Sequence, residues 1–330
     1  MAPQISVIIV NYNSGERLSR CVACLKAQDF RDFETIIVDN ASADGSADFA
    51  RSDDAITLIE AGDNLGFAAG NNLAAKSARG QWLAFLNPDA YAEPDWLSQF
   101  LAAAARHPEI DAFGSTQLED ADPARLDGAG DSYHAAGVSW RGCYGWPKES
   151  LPPEGECFAP CGAAAFYRKA VFEQLGGFEE RFFCYAEDVD LGFKLRLAGG
   201  AAMQAPKAIV RHEGSGVTGK KSDFTLYHGH RNRVWAYFLN MPAPLLIATL
   251  PMHLIVNLYL LARFSISGGV SAYMRAMLDA AKGLPEIWNA RKARQRARKA
   301  SIADIARAIT WSPLKLMRRE GDIRPRLKSG

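Results

Sequence analysis

The 330-residue chain carries only six cysteines, and one pair alone, Cys21 and Cys24, has the two-residue spacing of a redox or zinc motif. No second such pair follows to complete a four-thiolate zinc site. At helical phase, Leu18, Cys21, Cys24 and Leu25 form one apolar stripe, so structural thiols in a reducing cytosol are expected. The amino-terminal stretch MAPQISVIIVNYN lacks a basic segment before its apolar run and a small-residue cleavage site after it; a first strand is expected there rather than a secretory leader. A Walker-type phosphate loop is missing. Gly214-Ser215-Gly216-Val217-Thr218-Gly219 spells a dinucleotide fingerprint, but Lys220-Lys221-Ser222-Asp223 follows instead of an apolar helix, and no acidic residue suited to a ribose lies at the required distance. Kinase and dehydrogenase readings fall, and the stretch reads as a basic, glycine-rich lid over phosphates. Net charge is nearly absent, at +1, yet it is uneven. Residues 291–330 hold 13 Lys/Arg against 3 Asp/Glu, which leaves 25 basic and 34 acidic residues in the rest. A mildly acidic body with a basic tail points to an anionic surface, membrane or nucleic acid.

What is present is a globular composition, 48% hydrophobic and 23% charged, long enough for one large or two ordinary domains. Over residues 5 to about 115 the pattern alternates. Ile5–Val10, Thr35–Val38, Ile56–Ile59, Trp82–Leu86 and Ala112-Phe113 read as strands, with helical patterns near 15–27, 44–51, 67–78 and 94–106. That alternation predicts a parallel sheet wound with helices. Right-handed crossovers then bring the loops 11–15, 39–45 and 87–89 to one edge, where open α/β sheets bind ligands. Residues 116 to about 160, rich in Gly, Pro and aromatics, read as a long irregular segment, and helical pattern returns over 162–200.

Gln81-Trp82-Leu83-Ala84-Phe85-Leu86-Asn87-Pro88-Asp89 is the most informative stretch. Its continuous apolar run suits a strand buried on both faces, and Pro88 ends it, leaving Asn87 and Asp89 at the carboxyl edge. A carboxylate there can hold a divalent cation, and the cation a diphosphate; a plain Asn-Pro turn is the simpler alternative. Asp39 can accept a hydrogen bond from a ribose hydroxyl or a pyrimidine N–H, or can cap a helix starting near Ala43. Asn64-Leu65-Gly66-Phe67-Ala68-Ala69-Gly70-Asn71-Asn72 mixes glycines with amides before a helix and offers backbone N–H groups to an anion. Glu187-Asp188-Val189-Asp190 opens a helix with three carboxylates, more than the helix dipole needs, so that one can serve as a general base. His212, beside the lid, is either a packed histidine or a neutral-imidazole metal ligand next to Asp89.

Seven stretches in order, SVIIVNYNS, IIVDNASADGS, NLGFAAGNN, LAFLNPDA, CGAAAFYRKAVFEQLGGF, ERFFCYAEDVDLGFKLRLAGG and HGHRNRVW, span residues 5 to about 240. In them the chain resembles the family 2 glycosyltransferases of GT-A fold, and among these the rhamnosyltransferase-like group. The resemblance implies a Rossmann-like, mostly parallel sheet flanked by helices and an inverting transfer of a sugar, rhamnose from dTDP-rhamnose as the best reading, from a nucleotide diphosphate donor. It implies a base- or ribose-binding Asp39, a divalent cation (Mg²⁺ or Mn²⁺) on Asp89 and His212, and Asp188 as catalytic base. Val10, Asn11, Asn13, Asn64, Gly66, Asn87 and Arg231 join Asp39 on the donor side, and Trp140, Trp146 and Glu187 are acceptor-side candidates. Asn87 departs from the Asp common at its place, Glu179 from an Asp and Lys194 from an Arg. A sugar nucleotidyltransferase should carry a glycine-rich, cationic loop after the first strand, whereas here no cation precedes Arg17. A non-catalytic scaffold of a glycan assembly complex remains the other alternative.

Residues 1–240 are thus expected to form the glycosyltransferase domain and 241–330 a helical extension, apolar then basic. Pro244–Ala262 is about as long as a membrane span but is interrupted by Pro251, His253 and Asn257, which predicts a helix pair lying at the interface. The tail Arg291–Lys299 suits anionic headgroups. The partners expected are the donor, a glycan or lipid-linked acceptor and an anionic membrane surface, with no nucleic acid. The location expected is cytoplasmic, peripherally attached to the inner face of the cell membrane.

Overall fold

The computed structural model describes residues 2–214 and 222–326. The predicted lid falls mostly on residues 215–221, outside the described residues. β1 (Ile5–Asn11), β2 (Phe33–Asp39), β3 (Ile56–Glu60) and β4 (Trp82–Leu86) are parallel, in the order β4-β1-β2-β3. Both faces of this sheet are covered, which accounts for the continuous apolar runs. In β4, Trp82, Ala84 and Leu86 enter one core, with α1 (Glu16–Lys26) and α3 (Trp96–Arg106); Leu83 and Phe85 enter the other, with α2 (Gly66–Ser77). The pattern near 44–51 is not an α-helix but a short 3₁₀ turn, Asp48–Ser52.

Residues 116–160, expected to be irregular, contain several short strands. β5 (Ala90–Ala92) follows the Asn-Pro-Asp turn, and β6 (Ala112–Glu119) pairs with β7 (Leu126–Ala129). β8 (Asp131–His134) and β9 (Val138–Arg141) form a hairpin, and β10 (Gly155–Cys157) closes an edge. Apart from β6, these strands of three to four residues are too short to show a period, and their ladder partners define them. β11 (Ala164–Arg168) runs antiparallel between β4 and β6, and α4 (Lys169–Gln174) follows it. α5 (Glu187–Leu197) then leads to β12 (Ala202–His212), which pairs with β6 and β10 and, at its end, with β5.

The carboxyl-terminal part is helical: α6 (Asp223–Asn240), α7 (Ala243–Ser267), α8 (Val270–Arg296), α9 (Ile302–Ala308) and α10 (Pro313–Arg318). Where two interfacial helices were expected, one helix, α7, runs through Pro251 and is long and apolar enough to cross a membrane. Gly268 and Gly269, at φ 87° and 89°, reverse the chain into α8. α8 packs along α6, with Trp235 Nε1 donating to the Ala280 carbonyl at 3.0 Å. The chain end returns to the body, where Thr310 bridges His134 and Arg324 bridges Glu156. Two cations of the basic tail also turn inward. Arg291 donates to the Phe238 carbonyl at 2.8 Å and Arg294 pairs with Asp190, leaving Lys292, Arg296 and Lys299 exposed.

Candidate active site

The in-register pairing of β1 with β2 sets Asn11 opposite Asp39 at the carboxyl edge. Asn11 Nδ2 donates to Asp39 Oδ1 at 2.7 Å, and Ser42 donates its hydroxyl at 2.6 Å and its N–H at 3.1 Å. The Asp39 carboxylate is therefore oriented by the protein alone; it caps no helix, since none begins at Ala43. Asn11 is fully buried, with its side-chain amide turned to Asp39, Ser42 and Ser46. Asn13, at φ 47°, accepts from the Ala43 N–H at 2.8 Å and braces the same loop. Val10 packs against the α2 helix, where a Cβ on Gly70 would meet its Cγ1 at 2.9 Å.

Asn64 Oδ1 accepts the Gly66 N–H at 3.0 Å, and the Ala68 N–H is taken by the Phe183 carbonyl at 3.1 Å. Two of the amides expected to face an anion are thus already bonded. Gly66 has φ 77°, and a Cβ there would lie 2.6 Å from the Phe183 ring and carbonyl. Glycine is required so that the loop of the donor side can touch the loop that leads into α5.

At the end of β4, β5 pairs antiparallel with β12, so that Ala90 lies opposite His212 and Asp89 comes beside it. His212 Nε2 lies 3.3 Å from Asp89 Oδ1 and 3.5 Å from Asn87 Nδ2, while Nδ1 lies 2.7 Å from Asp127 Oδ2. Asp127 is the extra residue of an irregular step between β6 and β7, where Gln117 pairs Gly128 and Leu118 pairs Leu126; such a bulge re-aims a side chain. Burial alone would lower the His212 pKa, but hydrogen bonds to Asp127 and Asp89 override it and raise the imidazole to about 9. Arg141, opposite Asp131 in the β8–β9 hairpin, closes the group by an ion pair to Asp127.

A second acidic group adjoins the first through Arg141, whose charge acts on Asp131, Cys161 and Asp188. Ligand atoms of these three lie within 4.8 Å of one another. Asp188 is partly exposed, whereas Glu187 and Asp190 are 6% and 0% exposed. Asp188 Oδ2 accepts the Gly162 N–H at 2.9 Å and Oδ1 the Val189 N–H at 2.8 Å. Burial raises the pKa of Asp188, and burial followed by the charge of Asp188 raises those of Asp131 and Glu187. Asp190 is lowered instead: against burial, Arg294 and Lys194 hold it ionised, with Asn240 donating at 2.7 Å. It braces α5 against α6 and α8.

The loop before α5 is unusual. Phe183, Tyr185 and Ala186 have φ 65°, 71° and 67°, a region costly for side chains other than glycine. Asn232 Nδ2 lies 2.8 Å from the carbonyls of Phe182, Cys184 and Tyr185, and Arg231 donates to those of Arg181 and Phe182. Arg231, read from sequence as donor-binding, stacks on Trp235 at 4.4 Å and serves as a brace for this loop. Trp140 is 8% exposed, with its indole N–H on the Glu320 carbonyl, and Trp146 donates to the Arg318 carbonyl. Both pin the chain end, and the acceptor-side reading of Trp140 fails because little of its face is open. Glu187, also an acceptor-side candidate, is buried beneath Asp188.

Asp127, Asp131, Arg141 and Cys161 were not singled out by sequence. In Leu126-Asp127-Gly128-Ala129-Gly130-Asp131 the carboxylates sit among glycines and look like turn residues. The carboxylate and imidazole of Asp89 and His212 suit Mg²⁺ or Mn²⁺. Asp131, Cys161 and Asp188 suit it less, since burial holds the Cys161 thiol protonated and sulfur is a soft ligand.

Residues 6–176 match the family model described as glycosyl transferase family 2. The N-acetylglucosaminyl-diphospho-decaprenol L-rhamnosyltransferase of Mycobacterium tuberculosis is 29% identical over 256 residues, 70% of this chain and 83% of that protein. The O-antigen biosynthesis protein RfbC of Myxococcus xanthus is 32% identical over 232 residues, 64% of this chain and 17% of that protein. Among solved structures, the Pyrobaculum calidifontis mannosyltransferase with GDP-Man and Mn²⁺ has TM-score 0.55 at 19% identity, covering 93% of this chain and 87% of that one. S. aureus TarS 1-349 with UDP-GlcNAc has TM-score 0.56 at 17% identity, covering 94% and 93%. At these identities the structural likeness speaks for the fold, the GT-A arrangement.

Proposed function

Because the chain belongs to glycosyl transferase family 2, we propose that it transfers a sugar, with inversion, from a nucleotide diphosphate donor to a hydroxyl of a glycan or lipid-linked acceptor in cell-surface polysaccharide synthesis. Rhamnose from dTDP-rhamnose is the preferred donor, because the mycobacterial relative is named a rhamnosyltransferase. That name also specifies a diphospho-decaprenol acceptor, which supports a lipid-linked one here. The reading is carried by one observation: Asp188 lies partly exposed at the head of a buried carboxylate group adjoining Asp89 and His212.

Asp39 accepts from the base or ribose. Asp89 and His212 would hold a divalent cation, with Asp127 fixing the ring so that Nε2 faces Asp89. When bound, the cation offsets charge that builds on the diphosphate leaving group. Asp188 takes the proton of the acceptor hydroxyl as its oxygen attacks the anomeric carbon; the bond to the diphosphate breaks on the opposite face. The raised pKa of Asp188 suits a base, because a more basic carboxylate accepts the proton more readily.

Attachment to the inner face of the cell membrane is assigned to α7. Its outward side carries Ile247, Leu254, Ile255, Leu258 and Tyr259 at 53–74% exposure. His253 and Asn257 instead face the protein, where His253 Nδ1 meets the Ala136 carbonyl at 2.9 Å and Asn257 meets Arg233 at 2.6 Å. The apolar side is thus uninterrupted, and the helix can lie in the interface. Thermal unfolding against a panel of nucleotide sugars with Mg²⁺ or Mn²⁺ tests the donor reading. A ligand at 100 times its Kd adds about 2.7 kcal/mol, and a panel in which no nucleotide diphosphate sugar stabilises the protein defeats it.

A further inference from the structure

Arg233, on the face of α6 turned toward α7 and α8, is only 8% exposed. Its Nη2 donates to Asn257 Oδ1 of α7 at 2.6 Å, while Nε and Nη1 have no hydrogen-bond partner. No carboxylate among the described residues bonds to it. The groups that act on its charge are the phenols of Tyr273 and Tyr133, and burial raises the pKa of both, so they stay neutral. His230 and His253, which sense Arg233 in turn, are lowered by burial and by its charge to about 3 and about 4. A guanidinium does not shed its proton inside a protein. It is therefore a buried cation with only neutral neighbours, a costly arrangement unless an anion joins it.

Tyr273 Oη of α8 accepts from the Arg233 guanidinium and gives its own proton to the Asn257 carbonyl at 3.0 Å, and the His230 ring lies between Phe264 and Tyr273, with centroids 5.2 and 5.1 Å away. His230 Nδ1 and Tyr133 Oη are, like the Arg233 nitrogens, buried without a partner. We propose that the junction of α6, α7 and α8 at Arg233 binds a phosphate group, carried by a lipid whose chain lies along the apolar side of α7. The lipid source follows from position, since Leu254, Ile255 and Leu258, next to Asn257 in α7, are 53%, 65% and 67% exposed. The charge of the phosphate then meets Arg233 while its chain covers α7. Nothing in this site depends on glycosyl-transfer chemistry.

The test uses the full chain in EDTA, so that a cation-dependent diphosphate site does not respond. Sodium phosphate, compared with sodium chloride at equal ionic strength, and vesicles containing phosphatidic acid are the two probes. The wild type should gain roughly 2 °C or more in unfolding temperature from the fitting probe, and Arg233→Met should gain nothing. Arg233→Met should bind phosphatidic acid vesicles about tenfold more weakly, a loss of about 1.4 kcal/mol, while Lys76→Met, which removes an exposed cation of α2, changes binding less than twofold. A response to vesicles alone identifies a lipid phosphate and upholds the site; a response to free phosphate alone upholds the phosphate site and overturns its lipid source. Equal responses of wild type and Arg233→Met, or no response of the wild type to either probe, overturn it. Should Arg233→Met fail to fold, tungstate soaked into wild-type crystals decides: density beside Arg233 Nε or Nη1 supports the site, and its absence there refutes it.

Discussion

Replacing Asp188 by Asn separates the chemistry from everything around it. The side chain keeps its size, and one oxygen can still accept from either Gly162 or Val189, so one of two backbone hydrogen bonds, at 2.9 and 2.8 Å, is lost. That costs about 1 kcal/mol. Against it stands the removal of a carboxylate whose charge raises the pKa of both Asp131 and Glu187. The unfolding temperature should therefore stay within roughly 2–4 °C of wild type. The transfer rate should fall on the order of a hundredfold or more, the usual contribution of a positioned general base. Donor affinity should hardly change, because the donor-side contacts lie at Asp39, Asp89 and His212. The assay is transfer of labelled sugar under saturating donor, with donor affinity measured separately by calorimetry. Wild-type rate should rise with pH through an apparent pKa above the ordinary aspartate value of about 3.9, and that acidic limb should vanish in Asp188→Asn. A rate within threefold of wild type, or an unchanged limb, would refute the assignment. Asp131 would then be the next candidate, since Asp190 is held by Arg294 and Asn240.

Asp89→Ala should abolish divalent-dependent binding of nucleotide diphosphate; equal binding with the same metal dependence would remove Asp89 from the cation site. Asp127→Asn should weaken Mn²⁺ binding by about 10–100-fold, read by calorimetry without acceptor, and unaltered affinity would leave Asp127 a purely structural residue. Glu187→Gln should be more stable than wild type at pH 8, with a gap that shrinks toward pH 4. The folded pKa of Glu187 is raised, so the wild type loses stability as pH rises from the unfolded value of about 4.3, and the glutamine does not; a gap independent of pH contradicts this. Ile255→Glu with Leu258→Glu should release the protein from anionic vesicles, whose hold should also weaken in salt. Removing residues 241–330 is a poorer test, because it strips α8 from α6 and the bridges at Thr310 and Arg324 from the body. Undiminished co-sedimentation of the double variant would dismiss α7 as the contact.

The wound parallel sheet was legible in the sequence, because strands buried on both faces must be apolar along their whole length, as Trp82–Leu86 is, and must end where Pro88 ends this one. The sequence also singled out Asp39, Asp89, Asp188 and His212 as candidates, residues whose type and place at strand and helix ends mark them without any contact being known. The resemblance to family 2 glycosyltransferases lent them roles. Their partners emerge only in the folded chain. Asp127 reaches His212 only because one extra residue in β7 turns it there, and Arg141 meets Asp127 and Asp131 only because a hairpin of two four-residue strands folds beside them. Neither has a period long enough to read. Arg231 and Trp140 carried the marks of binding residues, a cation and an aromatic ring near the expected site. Their bonds to the carbonyls of Phe182 and Glu320 made them braces instead. The apolar segment shows the same division. Composition made α7 a membrane candidate and counted His253 and Asn257 as interruptions, but helical phase, fixed by packing on α6 and α8, turned both inward and left one side apolar.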